Sequence, residues 1–133
     1  MRFLILLTTF LFISSCTSVK EGCDDYFKQF GIDIAAQYQY CQYFEEEQVD
    51  YHEAIYKVKN QNFRQVEAFL VENYDMPELL FSCCGYETFN WSEYKFQGDT
   101  YSVHMWSDEF DFTEADKTRN FWVAVRKYTR MEI

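Results

Sequence analysis

The chain has one proline, four glycines and few positive charges, with 12 lysines and arginines against 22 aspartates and glutamates. The glycines form no phosphate-binding loop. The shortage of positive charge disfavours nucleic acid and anionic lipid headgroups as partners, because both are polyanions. The cysteines include no Cys-x2-Cys or Cys-x4-Cys knuckle of the kind structural zinc uses, so neither a metal nor a cofactor is expected. No serine or cysteine stands in a nucleophile-elbow motif. There is no internal repeat and no low-complexity segment. Aromatic rings are abundant instead: 14 Phe, 11 Tyr and 3 Trp. Large rings bury much area each, so a chain of this length can build a real core.

The N-terminus carries the most specific signal. Met1-Arg2 is a short positive region, and residues 3–13 are uncharged and mostly apolar. The run is short for a membrane span and reads as a secretory signal. Its end, Ile13-Ser14-Ser15-Cys16, resembles the bacterial lipobox: an aliphatic residue, two small residues, then cysteine. The resemblance implies cleavage after Ser15 and acylation of Cys16, which ties the protein to a bilayer outside the cytoplasm. The expected organisation is a signal peptide over 1–15, a tether over 16–22 and one domain over 23–133. Loss of the signal removes Arg2 and no acid. The mature balance is 11 basic against 22 acidic residues, a net charge of −11.

Four further cysteines, Cys23, Cys41, Cys83 and Cys84, read as disulfides in an exported chain. Pairing Cys23 with Cys41 would leave adjacent Cys83 and Cys84 to close a strained eight-membered ring. The expectation is therefore two long-range bridges, each early cysteine taking one of the adjacent pair. A redox role for Cys83-Cys84 is disfavoured, since thiol oxidoreductases usually separate their cysteines by two residues at a helix start.

Hydrophobic periodicity supplies the elements. Cys23, Tyr26, Phe27 and Phe30 form one helical stripe that Gly31 stops, with Asp24 and Asp25 in its first turn. Residues 37–44 and 49–58 read as a hairpin, with Ala54, Tyr56 and Val58 on one face and Tyr51 and Ile55 on the other. Asn62 and Gln65 suggest a capping box before a second helix striped by Phe63, Val66, Phe69, Leu70 and Tyr74. Residues 79–84 form the most continuous apolar run after the signal and read as a central strand. Residues 94–96 and 100–106 flank a turn at Gly98-Asp99. A helical turn is expected near 113–117 and a closing strand over 121–130, with Phe121, Val123 and Val125 alternating against Trp122, Ala124 and Arg126. The fold class is α+β: a twisted, mostly antiparallel sheet of about five strands with two helices on one face.

Val66-Glu67-Ala68-Phe69-Leu70, Met76-Pro77-Glu78-Leu79 and Cys83-Cys84-Gly85-Tyr86-Glu87 together resemble an uncharacterised family of small bacterial envelope proteins, domain of unknown function 4952. Cys23, Cys41 and Val125-x-x-Tyr128 fit the same order, and Tyr86 stands where tryptophan is usual. The resemblance implies a cystine-stabilised envelope domain and carries no catalytic residue.

His52 and His104 each fall on an expected strand and read as structural rather than as bases. Asp108-Glu109-x-Asp111 and Glu114-x-Asp116 lack the glycine of a calcium loop. Glu45, Glu46 and Glu47 read as a solvated hairpin tip, not half of a glycosidase pair. They are the candidate partner-binding residues. The expected function is a lipid-anchored, non-enzymatic binding module of the bacterial envelope, of inhibitor or immunity type, whose acidic face engages a basic protein. The alternatives are an assembly lipoprotein and, more weakly, a small envelope hydrolase. Thr17 is not the aspartate that retains lipoproteins in an inner membrane, which favours the outer membrane where there are two.

Overall fold

The structure, a computed structural model, describes residues 22–109 and 119–132. The signal peptide, Cys16, most of the tether and the helical turn expected near 113–117 lie outside the described residues.

The fold is α+β, an antiparallel seven-stranded sheet with two α-helices. Helix α1, Tyr26–Gln29, is a single turn. Asp25 stands just before it as the N-cap, its Oδ1 accepting from the Lys28 amide at 3.3 Å. The same oxygen accepts from the Tyr56 hydroxyl at 2.8 Å, and the Tyr56 oxygen accepts from the Phe27 amide at 3.2 Å. The acid read as a dipole partner therefore also pins the turn to the sheet.

Strands β1 (Gln37–Glu45) and β2 (Val49–Lys59) form the expected hairpin. A one-turn 3₁₀ segment, Asn60–Asn62, leads into α2, Phe63–Tyr74. The capping box is not made. Asn62 belongs to the 3₁₀ turn and has a helical backbone (φ −110°, ψ −4°), not the extended one an N-cap adopts, and its side chain makes no cap hydrogen bond. At the other end Asp75 takes the left-handed conformation (φ 53°), and the amide of the next residue, Met76, donates to the Leu70 carbonyl at 3.3 Å.

The strand order is β1-β2-β7-β6-β4-β3, with β5 also paired to β6. Here β3 is Leu80–Ser82, β4 Gly85–Glu87, β5 Ser92–Phe96, β6 Asp99–Ser107 and β7 Asn120–Met131. The sheet thus has seven strands where about five were expected. The strand that no run in the sequence announced is β4, which follows the apolar run at 79–84. Cys83 adopts a left-handed backbone (φ 49°), so the chain reverses at Cys83-Cys84 and Ser82 pairs with Gly85. The run is an edge strand, not a central one, and Leu80 and Phe81 are about half exposed (48% and 49%). The next turn is Gln97-Gly98, both at positive φ (49° and 83°) as a type I′ turn requires, and Asp99 already pairs with Phe96.

Strand order also corrects the disulfides. Cys41 lies in β1 and Cys83 follows β3, at opposite edges of the sheet. Five strand spacings separate them, roughly 24 Å, far beyond the Cα separation a disulfide spans. Cys23, just before α1, instead bonds Cys41, with Cα atoms 5.6 Å apart. Cys83 and Cys84 bond each other within the β3–β4 turn. The long-range bridges expected from the sequence are not formed.

Alternation along β2, β6 and β7 sends Ala54, Tyr56, Val58, Tyr101, Val103, Met105, Phe121, Val123 and Val125 into one core cluster. Both helices contribute to it, through Tyr26 and Phe27 and through Val66, Leu70 and Tyr74. Phe63 stacks on Phe121 at 4.0 Å, and Phe30 sits among Phe96, Tyr101 and Tyr94 at 4.7–5.9 Å. The aromatic richness of the chain is spent chiefly here. Among the described residues no helix is long and apolar enough to cross a membrane.

Candidate functional site

The residues between those core positions point to the other face of the sheet. On β2 they include Glu53, on β6 His104 and Trp106, on β7 Ala124 and Arg126. The register sets Glu53 opposite Arg126 and His104 opposite Ala124. Ala124 leaves space between larger neighbours, and a cleft of about 730 Å³ opens there. It extends from Glu53 and Arg126, past the rings, to the Cys83-Cys84 turn and Glu109.

Its floor carries a column of four stacked groups. The Arg126 guanidinium lies over Trp91 at 3.8 Å from the ring centroid. Trp91 stacks on His104 at 4.6 Å and 22°, and His104 on Trp106 at 5.4 Å and 26°. Trp91 comes from the loop between β4 and β5, whereas His104 and Trp106 are two apart on β6 and therefore share a face. Arg126 Nε donates to Glu53 Oε2 at 2.7 Å, fixing the guanidinium end. Thr88, fully buried, holds the imidazole: its Oγ1 lies 2.7 Å from His104 Nδ1 and accepts from the Met105 amide at 3.3 Å.

These contacts make His104 a packed, neutral ring. Burial above all holds its pKa below the ordinary 6.5; Arg126 acts in the same direction, and Glu87 and Glu53 oppose it. The unfolded chain consequently takes up a proton before the folded one does. Stability should fall as pH drops below about 6.5 and this contribution should level off once the folded ring is protonated. Urea midpoints measured above and below that window should differ less in His104→Gln than in the parent chain. An unchanged pH dependence would remove His104 as the source.

The hydroxyl that reaches this histidine, that of Thr88, is fully buried rather than presented to the cleft. Ser107 Oγ donates to the Asp108 carbonyl at 3.0 Å and accepts from the Tyr86 amide at 2.8 Å, so its hydroxyl serves the backbone. Asp108 Oδ1 accepts from Trp122 Nε1 at 2.7 Å, which places a fixed carboxylate on the cleft rim beside Glu87 and Glu109. Among the described residues no cluster of three His, Cys, Asp or Glu is arranged to hold a metal ion.

Of the residues singled out in the sequence, the fold brings Cys83, Cys84, His104, Asp108 and Glu109 to this cleft. Cys23 and Cys41 fasten α1 to the opposite edge. His52 is buried (1% exposed) on the core side of β2, its ring 4.8 Å from that of Tyr43 and close against Gly22. Glu45, Glu46 and Glu47 stay together at the β1–β2 tip, outside the cleft. Glu45 still belongs to β1 and pairs with Asp50. Glu46 Oε1 accepts from the Tyr51 hydroxyl at 2.8 Å, and Arg130 Nη2 donates to the Glu46 carbonyl at 3.0 Å. The tip is thus a braced turn as well as an acidic one. Sequence reasoning missed Trp91, Trp106, Arg126 and Glu53 as a group. Only the alternation on β6 and β7 hinted at them, by putting rings and charge where the core residues are not.

No protein-family model, no curated protein and no solved structure matches the chain.

Proposed function

We propose that this chain is a lipid-anchored, non-enzymatic binding module of the bacterial envelope, engaging a basic protein through its acidic surface. Membership of the envelope family that the Cys83-to-Glu87 stretch resembles is part of the proposal. The observation that carries it is the open cleft floored by the Arg126–Trp91–His104–Trp106 column and rimmed by Glu87, Asp108 and Glu109. Rings that are locked in place and flanked by charge suit recognition. They are fixed before a partner arrives, so little side-chain freedom is lost on binding. A surface of mature charge −11 further steers a cationic partner toward it.

The anchor is tested separately. Two or three acyl chains on Cys16 hold a protein on a bilayer essentially permanently, whereas one does so only marginally. Intact-mass analysis of the membrane fraction should show an acylated chain beginning at Cys16, and Cys16→Ala should move the protein out of that fraction. An unmodified soluble chain starting at Cys16 or later would refute the anchor. A partner that binds equally well at low and high salt would count against the electrostatic part of the proposal.

A further inference from the structure

The column contains its own example of how this surface holds a cation. Arg126 lies over Trp91, its guanidinium carbon 3.8 Å from the ring centroid, while a carboxylate, Glu53, accepts from its Nε at 2.7 Å. An indole face supplies attraction to positive charge and apolar contact for the side-chain stem, and the carboxylate supplies the hydrogen bond.

The other end of the column repeats the components. Trp106 is half-buried and lines the cleft, and among the described residues His104 is the one ring stacked on it. Glu87 is directly opposite Trp106 in the β4–β6 register, and opposed residues of an antiparallel pair share a face with Cβ atoms about 5 Å apart. Asp108 is held on the same rim by Trp122. Among the described residues lining the cleft, Arg126 balances Glu53, and Glu87, Asp108 and Glu109 leave an excess of three negative charges.

From this repetition we infer that the cleft receives an arginine side chain of a basic partner protein, stacked on Trp106 and paired with Glu87 and the rim carboxylates. The inference rests on the binding-module reading and names what enters its site. Arginine fits better than lysine because a planar guanidinium stacks on an indole and forks to a carboxylate, as Arg126 does next door. A neutral saccharide would use the rings but leave the three-charge excess without a counterpart.

The test is calorimetric titration of the folded domain with an oligoarginine peptide and with the matched citrulline peptide, which keeps the shape and loses the charge. The arginine peptide should bind at least about tenfold more tightly, and Trp106→Leu should weaken it about fivefold to tenfold. Glu87→Gln, an exposed change that leaves the fold intact, should weaken it about threefold, so the inference stays testable if Trp106→Leu fails to fold. The triple change Glu45→Gln, Glu46→Gln and Glu47→Gln should act mainly on salt dependence. Equal binding of the two peptides overturns the inference. So does tight binding of an N-acetylglucosamine oligomer, lost in Trp106→Leu, with no binding of the arginine peptide. If the arginine peptide binds and only the triple variant loses it, the cleft assignment falls and the binding-module reading stands. If no variant affects any cationic ligand and none binds, both fall.

Discussion

Arg126→Met is expected to destabilise the domain by about 3 kcal/mol, the lower end of the range for breaking a buried ion pair by removing one partner. The pair is largely enclosed: the Glu53 side chain is 17% exposed and that of Arg126 25%. Its guanidinium also lies between two rings, Trp91 at 3.8 Å and Tyr51 at 4.3 Å, so the substitution removes cation–π contact from both. Most of the loss comes from leaving the Glu53 carboxylate without its cation in a poorly solvated place. Glu53→Gln combined with Arg126→Met should therefore recover most of it, a coupling that a double-mutant cycle by urea denaturation measures. Arg130 provides the contrast. It pairs with Asp50 at 2.9 Å but is 39% exposed, so water screens the pair and its removal should cost distinctly less than that of Arg126. If Arg126→Met and Arg130→Met cost the same, the cleft is more open to water than its geometry implies.

Why the sequence disclosed the core but not the cleft follows from what each depends on. Ala54-x-Tyr56-x-Val58 and Phe121-x-Val123-x-Val125 each report burial by local alternation, and the α2 stripe does so at helical spacing. No distant residue is needed to read them. The cleft is built from register instead. Glu53 and Arg126 meet only because β2 pairs with β7 across 73 residues, and Trp91 joins from a loop with no periodicity. On the sequence, His104 and Trp106 look like the outer face of any strand. The apolar run at 79–84 misleads for a related reason. Continuous hydrophobicity ordinarily marks a strand covered on both faces, but a left-handed Cys83 turns the chain back at its end and leaves Leu80 and Phe81 at the sheet edge. The pairing of the cysteines followed from that same unseen strand order.

The two disulfides should differ sharply in what they contribute. Cys23–Cys41 joins residues 18 apart in sequence, and Cys83–Cys84 joins neighbours. A disulfide stabilises largely by restricting the unfolded chain, and the restriction grows with the loop it closes. Closing the 18-residue interval is worth about 3 kcal/mol in that model, whereas bonding adjacent residues restricts almost nothing. The first bond also does structural work in the folded state, since it fixes the segment carrying Asp25, Tyr26 and Phe27 to β1, and those rings belong to the core cluster. Replacing Cys23 and Cys41 by serine should thus lower the melting temperature by roughly 12–20 °C, while the same change at Cys83 and Cys84 should lower it by a few degrees at most. Non-reducing peptide mapping supplies the accompanying check: one cross-linked peptide pair from Cys23 and Cys41, and a Cys83-Cys84 peptide lighter by two hydrogens than its reduced form. Because Cys83 and Cys84 line the cleft, their replacement should register in ligand affinity before it registers in stability. The reverse order, with the adjacent pair controlling folding, would mean that the β3–β4 turn supports the sheet rather than the site.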